Sequence, residues 1–201
     1  MLAIAPGSVR IGCRVIRDAD EAHLLPEEAR SIPARQPAMR RASGAARWIA
    51  HGLLAELGIN DVAIPRAPSG APVWPDGMTG SLAHDDDMAV AAVAPVDRIA
   101  SLGIDVEPAQ PLPDDILALV AIPADRTDAA DRQLAGRILF SAKEAVYKAV
   151  YPLDREVLGY EDITVDLDAG HATTKTGRRV SLAYCVAPRV VVLAFVERGV
   201  G

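Results

Sequence analysis

From residue 43 to residue 57 the chain reads SGAARWIAHGLLAEL, with apolar side chains at helical spacing and Gly58 after them as a natural stop. The pattern predicts an amphipathic helix. A Pro- and Gly-rich stretch follows, PRAPSGAPVWPDGMTG from Pro65 to Gly80, where turns and extended backbone are expected. MAVAAVAP then predicts a buried strand ending at Pro95. In RIASLGIDVEP, Ile104 and Val106 alternate with Asp105 and Glu107 up to Pro108, the period-two signature of a second strand. A long helical pattern runs from about Asp128 to Tyr151 and meets a breaker at Pro152. DITVDLD, RRVSLAYCVA and RVVVLAFVE complete the chain as strand-like segments. One weak internal echo exists: Ser81-Leu82-Ala83 recurs as Ser181-Leu182-Ala183, with Val90 and Ala94 matched by Val190 and Ala194. It suggests two related α+β halves meeting near residue 100, with a ligand cleft expected between them.

Half of the 201 residues are apolar, enough for a substantial core. No run of about 18 uncharged apolar residues occurs, and the N-terminal sequence has neither the basic start nor the cleavage site of a leader. Membrane insertion is therefore not expected, and a cytoplasmic location is. Cys13 and Cys185 stand in no CxxC setting and are expected to be buried small side chains rather than a disulfide or a zinc site. A net charge of -6 argues against nucleic-acid binding, which favours an excess of Lys and Arg. The distribution says more than the sum. From Ala29 to Ala55 there is no acidic residue, while Arg30, Arg35, Arg40, Arg41 and Arg47 all fall there, a basic patch that suits a small polyphosphate or is simply a solvated face.

Three constellations carry candidate chemistry. Asp105 and Glu107, two apart in a strand, put two carboxylates side by side; either that face is solvated, or a cation such as Mg2+ sits between them. The apolar neighbours SLGI favour an internal strand. In FSAKEAVYKAVYP, Glu144 and Lys148 share one helix face, as do Lys143 and Tyr147. A surface ion pair is one reading of Glu144, and a capping box with Ser141 is another; the helical pattern of LAGRILF before Ser141 argues against the cap. Only three of the 21 basic residues are lysines, and two of those are in this segment, where a compact ammonium could approach a phosphate. Third, GSLAH places Ser81 and His84 three residues apart at the end of a strand, both within reach of a phosphate oxygen. A hydrolase triad is disfavoured because no G-x-S-x-G elbow is present.

Together, APVWPDGMTGSLAH, LGIDVE and FSAKEAVYKA resemble the 4'-phosphopantetheinyl transferase superfamily, in the branch typified by the enterobactin synthetase component D proteins. The resemblance covers roughly residues 38 to 152. It implies an α+β fold of two similar halves related by a pseudo-twofold axis, residues 1–100 and 101–201, with coenzyme A in the cleft between them. It implies Mg2+ held by Asp105, Glu107 and Glu144 with the pyrophosphate of coenzyme A, and Lys148 against the phosphates. It also implies Ser81 and His84 at the 3'-phosphate, with Arg47 and Arg40 supplying further contacts. The activity implied is transfer of phosphopantetheine from coenzyme A to a serine of an apo acyl or peptidyl carrier protein, with release of adenosine 3',5'-bisphosphate. Glu144 or a metal-bound water would take the serine proton. The branch suggests siderophore, nonribosomal peptide or polyketide biosynthesis, and a monomer is expected. Ala46, His51 and Gly70 depart from the family pattern, and Arg41 could replace one lost charge. Two other readings of the same residues are a non-catalytic coenzyme A-binding relative and a magnesium-dependent phosphohydrolase. The segment from Leu112 to Ile122 is expected to contribute to carrier docking.

Overall fold

The computed structural model describes residues 5–32, 36–128 and 130–198; Arg35 of the basic patch lies outside them. The strands are β1 (Arg10–Val15), β2 (Met78–His84), β3 (Met88–Pro95), β4 (Ile99–Pro108), β5 (Ile163–Asp166), β6 (His171–Thr174), β7 (Arg179–Cys185) and β8 (Arg189–Glu197). The helices are α1 (Pro26–Ser31), α2 (Pro37–Ala55), α3 (Asp114–Val120) and α4 (Ala135–Asp154). The strands form two antiparallel sheets, ordered β1-β3-β2 and β4-β8-β7-β6-β5.

The alternation in MAVAAVAP builds the layers. Ala89, Ala91 and Val93 face α2, where they join Ala45, Ala46, Ile49, Ala50, Leu53 and Leu54. Val90, Ala92 and Ala94 face the opposite way, onto Leu102, Ile104 and Val106 of β4 and Val191, Leu193 and Phe195 of β8. The alternate residues Val190, Val192 and Ala194 of β8 meet the inner side of α4. The order of layers is therefore α2, small sheet, large sheet, α4. A strand covered on both faces needs no polar positions, which is why β3 reads as one apolar run. The α+β class expected from the sequence is the class observed.

Several boundaries differ from the sequence reading. Helix α2 starts at Pro37, since proline suits the first helical position, where its missing N–H is not needed; Arg40 and Arg41 are therefore helical. Helix α4 starts at Ala135, not near residue 128, and passes through Pro152 to end at Asp154. A proline in the last turn ends a helix late because little helix remains to lose. The short β1 and β6 had no pattern long enough to announce them. Cys13 is exposed and Cys185 half-buried, both as free thiols, so the expectation that both are buried is corrected. The Ser-Leu-Ala echo falls in the first strands of two hairpins, but their registers differ: Ser81 pairs with Ala92, whereas Ser181 pairs with Phe195 and not with Val192.

Candidate active site

Gly103 sets the distance between α4 and β4. A Cβ there would lie 1.8 Å from the carbonyl oxygen of Ala145 and 2.7 Å from the amide nitrogen of Ala149. Both obstacles are helix backbone, so only a residue without a side chain permits this approach. Asp105 and Glu107 lie on the same face of β4 as Gly103, because they pair with Val192 and Val190, which both belong to the α4 core. The two carboxylates thus enter the α4 interface side by side, as their spacing predicts.

Asp105 is 6% exposed. Its Oδ2 accepts a hydrogen bond from Ser141 Oγ at 2.9 Å, and its Oδ1 accepts from Lys148 Nζ at 2.7 Å. Lys148 also donates to the carbonyl of Ile104 at 3.2 Å. Glu107 accepts from Arg137 Nη1 at 2.8 Å, and Arg137 also donates from Nε to the carbonyl of Gln110 and from Nη2 to that of Pro111, each at 3.1 Å. Burial, and then the charge of Asp105, push the Glu107 carboxyl above the ordinary range despite Arg137. Glu144 turns not to Lys148 but to Tyr160, whose hydroxyl donates to its Oε1 at 2.7 Å. Burial and the bond to Glu144, reinforced by the charges of Glu144, Asp105 and Glu107, hold Tyr160 well above the usual tyrosine range, so its proton stays on as a donor. Ser141 lies well inside α4, and the capping-box reading of Glu144 does not apply.

Lys143, next to Glu144 in sequence, is wholly buried. It meets Asp125 Oδ2 at 2.8 Å and the carbonyls of Val120 and Tyr160 at 2.9 and 3.0 Å. All three of its ammonium protons are thereby placed, and it ties the Tyr160 backbone to α4 while the Tyr160 hydroxyl reaches Glu144.

The donors fit a hard divalent cation in kind: three carboxylates whose charges all act on the one Tyr160 hydroxyl, and oxygen ligands suit Mg2+. Among the described residues, no three acidic, histidine or cysteine side chains are grouped closely enough to hold an ion as they stand. Lys148 and Arg137 instead neutralise Asp105 and Glu107.

Lys148 also lines a cleft of about 690 Å³ between α4, β2 and the 67–74 loop. Its walls include Trp74, Met78, Leu82, Tyr147, Tyr151, Leu153 and Arg155, and among the described residues no acid lines it. Ser81, 4% exposed, is part of this wall. His84 is not. Register places Ser81 opposite Ala92, on the face toward β4, and His84 opposite Ala89, on the face toward α2. Three residues along a strand is an odd step, so the two side chains point to opposite sides of the sheet. His84 is exposed, with Nδ1 3.3 Å from the carbonyl oxygen of Asp85.

The arginines of the basic segment are drawn into local structure. Arg40 donates to the carbonyls of Ala29 and Ile32 at 3.4 and 3.2 Å. Arg41 lies 4.0 Å from Asp18. Arg47 is 5% exposed and donates to the carbonyl of Ile64 at 2.8 Å, with Glu28 at 4.0 Å. Burial pulls its pKa down against the opposing charge of Glu28. His51 Nε2 donates to this same Glu28, at Oε1, at 2.8 Å. The structure brings Asp105 and Lys148 together, with Glu107 on the same strand face, and holds Glu144 on the Tyr160 hydroxyl; it does not bring the arginines of the basic segment to the lining of the cleft. Tyr160, Arg137 and Arg155 were missed by sequence reasoning because each reaches the site from a segment with no motif of its own.

Two family models match the chain: the 4'-phosphopantetheinyl transferase N-terminal domain over residues 21–94, and the 4'-phosphopantetheinyl transferase superfamily over residues 101–194. The chain is 43% identical over 164 residues to the 4'-phosphopantetheinyl transferase Npt of Nocardia iowensis, covering 78% of this chain and 70% of that protein. Identity, length and both coverages are the same for PptT of Mycobacterium tuberculosis. Svp of Streptomyces mobaraensis, also a 4'-phosphopantetheinyl transferase, is 39% identical over 165 residues, covering 76% of this chain and 65% of that protein. With the carboxylates of β4, the α4 glutamate and the adjoining cleft in view, the chain belongs to the 4'-phosphopantetheinyl transferase superfamily.

Proposed function

We propose that this protein transfers the 4'-phosphopantetheine arm of coenzyme A to a serine hydroxyl of an apo carrier protein, and that it belongs to the enterobactin synthetase component D-like branch. The observation that carries the reading is the cleft: it is free of acids, has apolar walls, and opens from Lys148 beside the carboxylates of β4. An anionic ligand with a long uncharged arm suits such a space. Asp105, Glu107 and Glu144 would hold Mg2+, which supplies charge neutralisation on the diphosphate when bound. Lys148, with its ammonium at the cleft wall, balances negative charge on the phosphoryl oxygens. The serine oxygen forms a bond to the β-phosphorus as the bond to the bridging oxygen breaks, and adenosine 3',5'-bisphosphate leaves. Tyr160 engages Oε1 of Glu144 alone, which leaves Oε2 to hold the metal or to take the serine proton. Tyr160 then steadies that carboxylate without competing for the proton.

Of Ser81, His84, Arg40, Arg41 and Arg47, the residues expected at the coenzyme A phosphates, only Ser81 is assigned to them, because the other four are not in the lining of the cleft. Carrier docking falls to Leu119, which is 72% exposed, because Leu112 and Val120 are in the core. A cytoplasmic monomer serving siderophore, nonribosomal peptide or polyketide assembly completes the proposal. No helix among the described residues is long and apolar enough to cross a membrane. The test is labelling of a panel of apo carriers with fluorescent coenzyme A. Asp105→Ala is expected to lower the rate by about a thousandfold, an effect typical of losing a principal charge-stabilising group, without loss of fold by circular dichroism. Undiminished labelling would sink the metal assignment.

A further inference from the structure

One wall of the cleft is a short hairpin, of which residues 67 and 69–73 face the space. The hairpin closes on itself. Arg66 bridges Pro72, the amide of Ala67 donates to the carbonyl of Ala71 at 2.8 Å, and that of Val73 donates to the carbonyl of Pro65 at 2.8 Å. The Trp74 side chain, which follows it, rests on β2 by packing. A Cβ on Gly80 would come within 2.6 Å of the indole, and the indole N–H is buried with no acceptor among the described residues. The wall therefore needs a polar tie from elsewhere to keep its place.

That tie comes from α1. Glu28 and Ser31 are three apart and share one face of this helix, and they meet two amides that are two apart at the root of the hairpin. Glu28 Oε1 accepts from the amide of Ile64 at 2.7 Å, and Ser31 Oγ accepts from the amide of Arg66 at 2.8 Å. The helix thus serves this segment in place of a neighbouring strand. A serine hydroxyl has one proton, and that of Ser31 goes to the carbonyl of Glu28 at 2.9 Å, which leaves its lone pairs for Arg66. Among the described residues no other hydrogen bond joins residues 65–73 to the rest of the protein. We propose that Ser31, which does not line the cleft, is a positioning residue for the transfer: through the Arg66 amide it holds the hairpin where it walls the cleft, and so sets the apparent affinity for coenzyme A. The inference rests on the transferase reading above.

The experiment measures transfer from coenzyme A to one apo carrier by the unaltered protein, Ser31→Ala and Ser31→Thr. Ser31→Ala leaves the Arg66 amide without its acceptor. We expect KM for coenzyme A to rise about threefold to tenfold, the range of one neutral hydrogen bond. Both kcat and the KM for the carrier should stay within about twofold, an allowance below that range. Ser31→Thr, which restores the hydroxyl, should bring KM most of the way back. A merely weakened fold would lower the active fraction, and hence kcat, while leaving KM alone. Fluorescence supplies a second readout: with Trp48→Phe in the background Trp74 is the only tryptophan, and Ser31→Ala should make it more open to acrylamide quenching. An unchanged KM for coenzyme A, a fall in kcat alone, an equal rise in both KM values, unchanged quenching, or a Ser31→Thr protein no better than Ser31→Ala overturns the proposal. If the unaltered protein transfers nothing from coenzyme A, the transferase reading fails first and this one falls with it; an active protein whose KM ignores Ser31→Ala overturns this one alone.

Discussion

Helices α2 and α4 make an instructive pair. Each is about twenty residues long, at 19 and 20, and each lays alanine-rich turns on one sheet beside buried charge. Around α2 the charges are closed in on themselves. Glu28, with no exposed surface, is met by His51 at 2.8 Å and accepts from the amides of Ile64 at 2.7 Å and Leu25 at 2.8 Å, while Arg47 is spent on the Ile64 carbonyl. Around α4 the network has an open side. Asp105 is just as strongly held, by Ser141 and Lys148, but Lys148 also forms part of the cleft wall. Buried charge alone therefore does not mark chemistry; a buried anion whose partner faces a cavity does.

Three substitutions can break or sharpen this contrast. The largest effect is expected for Gly103→Ala, because the added methyl meets helix backbone at 1.8 Å. A loss of about 3 to 5 kcal/mol, the upper end for overpacking, should appear in urea unfolding. If the protein keeps its stability, α4 is not held against β4 as described. Next comes Glu28→Gln, with a loss of about 2 to 3 kcal/mol from leaving Arg47 and His51 without their anion. Its effect should fall on stability, with kcat within about twofold when the protein is folded, a change small beside one tenfold step.

That substitution also has a pH signature. Burial raises the Glu28 carboxyl, but the hydrogen bonds from His51, Ile64 and Leu25 outweigh it and leave it below the ordinary glutamate value of 4.5. A carboxyl depressed in the folded state stabilises at pH above the unfolded value, and the contribution is lost as pH falls from there through the folded value. Melting temperatures of the unaltered protein should therefore drop more steeply below about pH 4.5 than those of Glu28→Gln. Parallel curves would remove Glu28 as the acid-sensitive centre of the α2 side.

The smallest effect is expected for Tyr160→Phe, which keeps the ring and frees Glu144 Oε1. Loss of an orienting partner typically costs a metal site about tenfold or more. Mn2+ affinity by electron paramagnetic resonance should weaken by about that factor while the melting temperature changes little. An unchanged affinity would separate Glu144 from the metal or Tyr160 from Glu144, and Glu144→Gln distinguishes the two.

What the sequence discloses is what periodicity can carry. MAVAAVAP and LGIDVEP announce their strands, and the odd-even alternation of the second puts Asp105 and Glu107 on one face without any structure. The step from Ser81 to His84 shows the cost of leaving that same rule unapplied: an interval of three in a strand separates side chains. Partnerships over long intervals are beyond local pattern. Nothing near Glu28 announces Ile64 or His51, and nothing near Glu144 announces Tyr160. Lys143 and Lys148 look alike in KEAVYK, yet one is sealed under Asp125 and the other faces the cleft, because five residues of helix turn the chain well away from its starting face.

Strand β4 has a further consequence for how the protein can go wrong. Its even-numbered residues Leu102, Ile104 and Val106 fill the space between the sheets, and its odd-numbered residues Gly103, Asp105 and Glu107 face α4. A slip of one residue against β8 would press two carboxylates into the apolar interlayer and drive Ile104 into the space that glycine keeps empty. A one-residue slip is thus penalised twice, once by charge and once by volume. The arrangement acts as a built-in check on assembly: the alternation that seats the apolar residues between the sheets also turns the two carboxylates toward α4.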